Sequence, residues 1–129
     1  MNFKLNNPPR IFTVGRNEKF DVKDCAHIEL QANEQITLVT EAGAEYDVAR
    51  KEWGFYATPS LNGRLPSFRL RAVLVKNLPS KKYYLLLVER GKEKDFQRYL
   101  KVHEYVVLCW MDDDKKLEEL ERKMGSGQR

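Results

Sequence analysis

Two acids, Glu45 and Asp47, stand shortly before Trp53 and Tyr56 and before a Pro-Ser-Leu-Asn-Gly-Arg loop that carries Asn62 and Arg64. On a strand, alternation of side chains puts both carboxylates on one face, about 7 Å apart. That separation falls within the range used by acid/base pairs in glycoside hydrolysis. The rings of Trp53 and Tyr56 can stack on a sugar. Glu45 and Asp47 can accept hydroxyl hydrogen bonds, Asn62 can hold hydroxyls, and Arg64, with Arg69 beside it, can pair with a phosphate. The competing reading is a solvated strand edge with Trp53 in the core, since two acids on an exposed face are common. No nucleophile, elbow or oxyanion motif accompanies the set, so no catalytic residue is assigned. The segment reads as a binding surface for a small polar or anionic ligand, with a small enzyme on Glu45 and Asp47 as an alternative.

A second set suits a polyanion. Residues 65–111 hold ten basic and four acidic side chains, against eight and nine in residues 1–64, so the excess behind the net charge of +4 lies in the later stretch. Arg69, Arg71, Lys81 and Lys82, interleaved with Tyr83 and Tyr84, are the mixture that single-stranded nucleic-acid binders use, charge neutralisation plus stacking. The bland counterpart is two core tyrosines with lysines guarding a hairpin. Asn62-Gly63-Arg64 offers amides and a guanidinium to an anion, but no Gly-x-Gly-x-x-Gly or Walker sequence is present, and no cofactor is implied. Metal chemistry fares worse. The two cysteines and two histidines, Cys25, His27, His103 and Cys109, lack the spacing of a zinc knuckle and read as core cysteines and unrelated histidines.

These residues must be carried by a chain of 129 residues, long enough for one domain with its own core. Met1–Pro9 is polar with a Pro-Pro stop and reads as a frayed arm. Arg10–Val14 is a short strand closed by Gly15; Phe20 and Val22 suggest another short extended piece; Cys25–Leu30 and Gln35–Thr40 alternate as strands. Ala42-Gly43-Ala44 marks a hairpin tip, and Glu45–Arg50 returns as a strand, although a helical spacing competes. Trp53–Thr58 reads as a strand with Trp53, Phe55 and Ala57 on one face. Two prolines and Asn62-Gly63 make Thr58–Pro66 irregular. Phe68–Lys76 and Lys82–Glu89 are long strands about the turn Asn77–Ser80. The second is apolar on both faces and reads as a central strand. Lys92–Val102 is a helix with the stripe Phe96, Tyr99, Leu100 and His103. Tyr105–Met111 is a further doubly apolar strand, expected parallel to Lys82–Glu89 or its neighbour through a crossover. Acids at Asp112–Asp114 open a last helix, Lys115–Met124, whose stripe is Leu117, Leu120 and Met124.

The class is α+β: a β-rich antiparallel N-terminal half, a ββαβ unit and a C-terminal helix. It is expected as a single domain, divided into 10–66, 67–111, 112–124 and a flexible end 125–129. The junction Val88-Glu-Arg-Gly-Lys-Glu followed by a helix resembles strand-to-helix junctions of ferredoxin-like folds. The runs EYDVARKEWGFYATPSLNGRLPSFRLRAVLVKN and LLLVERGKEKDFQRYL, with a late WMDD, are similar to small bacterial proteins associated with surface-polysaccharide biosynthesis neighbourhoods. What that resemblance implies is a bacterial accessory protein with a sugar or nucleotide-sugar among its ligands; it brings no catalytic residue. The absence of a signal-like apolar run, of a span of ~20 apolar residues and of a disulfide framework leads to a reduced, cytoplasmic setting as the expectation. The thin stripe of the last helix reads first as packing on its own domain, with a homo-oligomer contact as the alternative.

Overall fold

A computed structural model describes residues 1–57 and 59–125. The chain is α+β, as its sequence predicts. Its elements are β1 (Asn2–Val14), β2 (Phe20–Glu29), β3 (Gln35–Val39), β4 (Glu45–Lys51), β5 (Gly54–Tyr56), α1 (Arg64–Ser67), β6 (Leu70–Asn77), β7 (Tyr83–Glu89), α2 (Glu93–His103), β8 (Tyr105–Trp110) and α3 (Asp114–Met124). The strands form a two-stranded sheet β1-β2, a three-stranded sheet β3-β4-β5 and a three-stranded sheet β7-β6-β8. The chain divides into two compact units, one of Met1–Thr37 with Asp47–Ala57, the other of Leu38–Tyr46 with the described part of 58–129.

In the first unit, β1 and β2 make a long antiparallel ribbon from Phe3↔Ile28 to Val14↔Phe20. The expected frayed arm is therefore a strand, and the two short extended pieces after Gly15 are one. Alternating Phe3 and Leu5 supply the pattern. The prolines sit where the register shifts between Leu5 and Arg10, a stretch in which their missing N–H groups interrupt no ladder. Asn6 Nδ2 ties that stretch down by donating to the Asp24 carbonyl at 2.9 Å. Gly15, at φ 104°, turns the ribbon; a Cβ there would collide with the Glu18 carbonyl. Cys25, expected in the core, is exposed, because odd-numbered β2 residues face away from the ribbon's apolar side.

The second unit is organised on β6. Its Val73 and Val75 are fully buried, packed with Val88 and Leu100 and flanked by Phe96, Tyr105 and Trp110, so α2 covers this face of the sheet. On the other face Leu70 and Ala72 pack with Ala44 and Leu65, helped by Tyr46, Leu61 and Leu87. β6 pairs antiparallel with both β7 and β8, which makes those two strands parallel to each other with β6 between them. The crossover therefore returns the chain in the expected direction but beside β6. β7 lies at the sheet edge and not at its centre: Tyr83 is 60% and Leu85 48% exposed. Apolar residues on both faces report composition; position is decided by which strand β8 joins. Pro66 lies within the short helix α1, where the sequence suggests irregular chain; Thr58 and, in the expected flexible end, residues 126–129 fall outside the described residues. α3 starts at an Asp113 cap that accepts from the Lys115 and Lys116 amides.

Candidate functional site

The expected site residues divide between the two units. Asp47, Trp53 and Tyr56 belong to the first; Glu45, Asn62, Arg64 and Arg69 belong to the second. Asp47 accepts a hydrogen bond from Thr37 Oγ1 at 2.8 Å. Glu45 lies two residues earlier on β4, half-buried, with its backbone N–H donating to the Phe68 carbonyl. Asn62 donates to Asp114 Oδ1 at 2.8 Å. Arg64 lays its guanidinium over the Phe68 ring, 4.5 Å from the centroid. Arg69 precedes β6 at φ 72° and points Nη2 at the Arg90 carbonyl, 3.4 Å away. It is not on one strand face with Arg71. Within the second unit, then, Asn62 and Arg64 are engaged with their own surroundings.

Within the first unit a cleft of about 670 Å³ opens beside the β4–β5 hairpin. Lys51 pairs with Gly54, so Glu52 and Trp53 form a two-residue turn, and Gly54 takes φ 145°, a conformation closed to other residues at ordinary strain. The turn throws the Trp53 ring out of the sheet, where it is 72% exposed. The expected shared strand face for Trp53, Phe55 and Ala57 does not form, because Trp53 precedes the strand. The cleft is lined by the apolar Trp53, Phe55 and Leu30 and by the polar His27, Glu29, Gln31, Arg50 and Glu52. Arg50 is fixed from three directions. Its Nη1 donates to the Leu30 carbonyl at 3.2 Å, its N–H to the Glu34 carbonyl, and its carbonyl accepts from the Asn33 amide. The β2–β3 connection that Arg50 contacts is pinned in turn by Glu34. Its carboxylate accepts from the Gln31 amide at 2.7 Å and faces the N-terminal ammonium at 3.1 Å, and these hold its pKa below 4.5.

Trp53 is thus the one expected residue that lines this cleft. Tyr56, opposite Ala49, is exposed on β5. Sequence reasoning misses His27, Glu29, Arg50 and Glu52; the glycine-closed turn Lys51-Glu52-Trp53-Gly54 is a local signal for Arg50 and Glu52, and none marks His27 and Glu29, which come from β2.

The basic set is partly spent on structure. Arg71 Nε donates to Asp112 Oδ2 at 2.7 Å while its guanidinium stacks over Trp110 at 4.1 Å. The Asp112 carboxylate raises the Arg71 pKa further above its ordinary value. Lys81, at φ 59°, and Lys82 sit in the exposed β6–β7 turn, organised by Asn77 Oδ1 accepting from Ser80. Among the described residues no group of three or more His, Cys, Asp or Glu side chains is placed to hold a metal ion, and no helix is long and apolar enough to cross a membrane. Comparison with protein-family models, with curated proteins and with solved structures finds no match.

Proposed function

We propose that the protein is a binding module for a sugar or nucleotide-sugar, held in the cleft beside the β4–β5 turn. The observation that carries the reading is Trp53: a large ring, 72% exposed, set in a two-residue turn and lining a concavity that acids and a guanidinium also line. An exposed ring costs the free protein apolar hydration, and a sugar's C–H face is the kind of surface that relieves it while hydroxyls reach Glu29 and Glu52. Arg50, already oriented by main-chain bonds, is in place for a charged or hydroxyl group at little ordering cost. The resemblance to proteins of polysaccharide-biosynthesis neighbourhoods agrees with this ligand class. Relative to the sequence expectation, the site keeps Trp53 and replaces Asn62 and Arg64 by Arg50, Glu52, His27 and Glu29.

The test is tryptophan fluorescence titrated with UDP-glucose, UDP and glucose. Trp110 is half-buried against Phe96 and Arg71, so Trp53 is the tryptophan open to a ligand. A saturable blue shift that disappears in Trp53→Ala and weakens at least tenfold in Arg50→Ala supports the reading; an unchanged spectrum at millimolar ligand rejects it. A second reading rests on the basic excess of residues 65–111, with Lys81 and Lys82 as exposed contacts to single-stranded nucleic acid. It requires oligonucleotide affinity that falls steeply with salt and drops in a Lys81→Ala/Lys82→Ala variant.

A further inference from the structure

The β1–β2 ribbon carries one apolar face, and its register defines it. Cross-strand partners share a face, which runs Phe3↔Ile28, Leu5↔Ala26, Arg10↔Asp24, Phe12↔Val22 and Val14↔Phe20. Polar residues such as Lys4, Lys23 and Glu29 fall on the other side. Phe3 is 58% and Leu5 63% exposed, and Phe12, Phe20 and Ile28 are at least 36% exposed. A two-stranded ribbon is marginal in water unless its apolar face is covered. We propose that this face packs against the same face of a second copy of the chain, making a two-fold homodimer.

Charge chooses both the partner and the arrangement. The single polar row, Arg10–Asp24, is an ion pair of 3.4 Å with apolar rows on both sides of it. Two ribbons stacked about a two-fold axis that runs along the strands place Arg10 of one copy over Asp24 of the other, twice, and Phe3 over Ile28. An axis across the strands sets Arg10 on Arg10 and Asp24 on Asp24, which like-charge repulsion disfavours. A row that carries both signs is self-complementary only in the first arrangement. Area is consistent with it. The five large side chains leave on the order of 450 Å² of apolar surface open, so two copies would cover roughly 900 Å² of it, and the smaller apolar side chains and the Arg10–Asp24 rows bring the total near the ~1,000 Å² of the smallest specific interfaces. The interface is distinct from the α3 stripe, the alternative oligomer contact that the sequence offers.

Sedimentation velocity of the full chain from 1 to 100 µM tests it, with three variants. Wild type should move toward twice 15.2 kDa with rising concentration. Arg10→Asp carries two acids in the row and Asp24→Arg two guanidinium groups; each alone should dimerise at least tenfold more weakly. Mixing the two should restore a heterodimer, because opposite rows then face each other, although neither chain regains its own ion pair. Arg10→Asp/Asp24→Arg should dimerise like wild type. A wild-type chain that stays monomeric at 100 µM overturns the proposal and leaves the face to another partner. Single variants that dimerise as well as wild type, or a mixture that fails to pair while the double variant succeeds, overturn it too.

Discussion

A guanidinium set into a partly buried position must be satisfied by geometry, and Arg71 is held twice, by the Asp112 carboxylate at 2.7 Å and by the Trp110 ring. Asp112 is the more buried partner, with its side chain 12% exposed against 30% for Arg71. Removing the arginine strands that carboxylate, so Arg71→Ala should cost about 2 kcal/mol in urea unfolding. Arg71→Lys should recover less than half of it, since an ammonium neither forks onto the carboxylate nor stacks flat on the indole. A loss below about 0.5 kcal/mol for Arg71→Ala, the range of a surface ion pair, would show the stack to be ornamental. Glu34 makes a prediction in pH. The Gln31 amide and then the N-terminal ammonium depress its pKa. A depressed carboxylate contributes stability that is fully present above its unfolded pKa of 4.5 and is lost as pH falls through the lower folded value. Glu34→Gln should therefore be less stable than wild type at neutral pH, and the gap should narrow as pH falls below the ordinary glutamate range. A gap that is the same at neutral and acid pH would assign the loss to the hydrogen bond alone.

At the scale of elements, α3 has no buried residue, and besides the Asn62–Asp114 hydrogen bond at its start it leans on its own caps. Its start is fixed by Asp113 and its end by Gly125 at φ 74°. Asp113→Ala should lower helical circular dichroism and cost about 1 kcal/mol, with Asp113→Ser largely sparing both. This helix was legible from sequence because caps are local. So were α2, β4 and the β3–β4 turn, whose signals lie within a few residues of each other. What the sequence concealed was non-local. β7 reads as a central strand from Tyr83–Val88, yet whether it is central depends on β8 joining the far side of β6. β1 was hidden because Pro8 and Pro9 look like a stop until the bulge opposite Asp24 gives them a place outside the ladder. The candidate site failed in a similar way. The acid pair, Asn62 and Arg64 are close in sequence but divide between two units, whereas His27 and Glu29 reach the Trp53 cleft from a distant strand. Trp53 itself was legible as a stackable ring, and its exposure was not, because one residue of strand register decides it.

At the scale of the whole molecule, burial is lopsided. The described residues of the first unit contain a single buried hydrophobic, Leu30, while the second unit holds Ala44, Leu65, Leu70, Ala72, Val73, Val75, Val88 and Leu100. Stability follows buried apolar surface, so local opening should be cheap in the β1–β2 ribbon and approach global unfolding at β6. Amide hydrogen exchange should accordingly rank β6 slowest and β1–β2 among the fastest of the regular elements. A second copy binding only the closed ribbon adds to its protection in proportion to the logarithm of concentration above the dissociation constant. Ribbon exchange should then slow as the protein goes from 1 to 100 µM, with Val73 and Val75 unaffected, and the dependence should vanish in Arg10→Asp. Uniform, concentration-independent protection across both units would mean that the ribbon draws its stability from its own chain, and the uncovered face would need a different explanation.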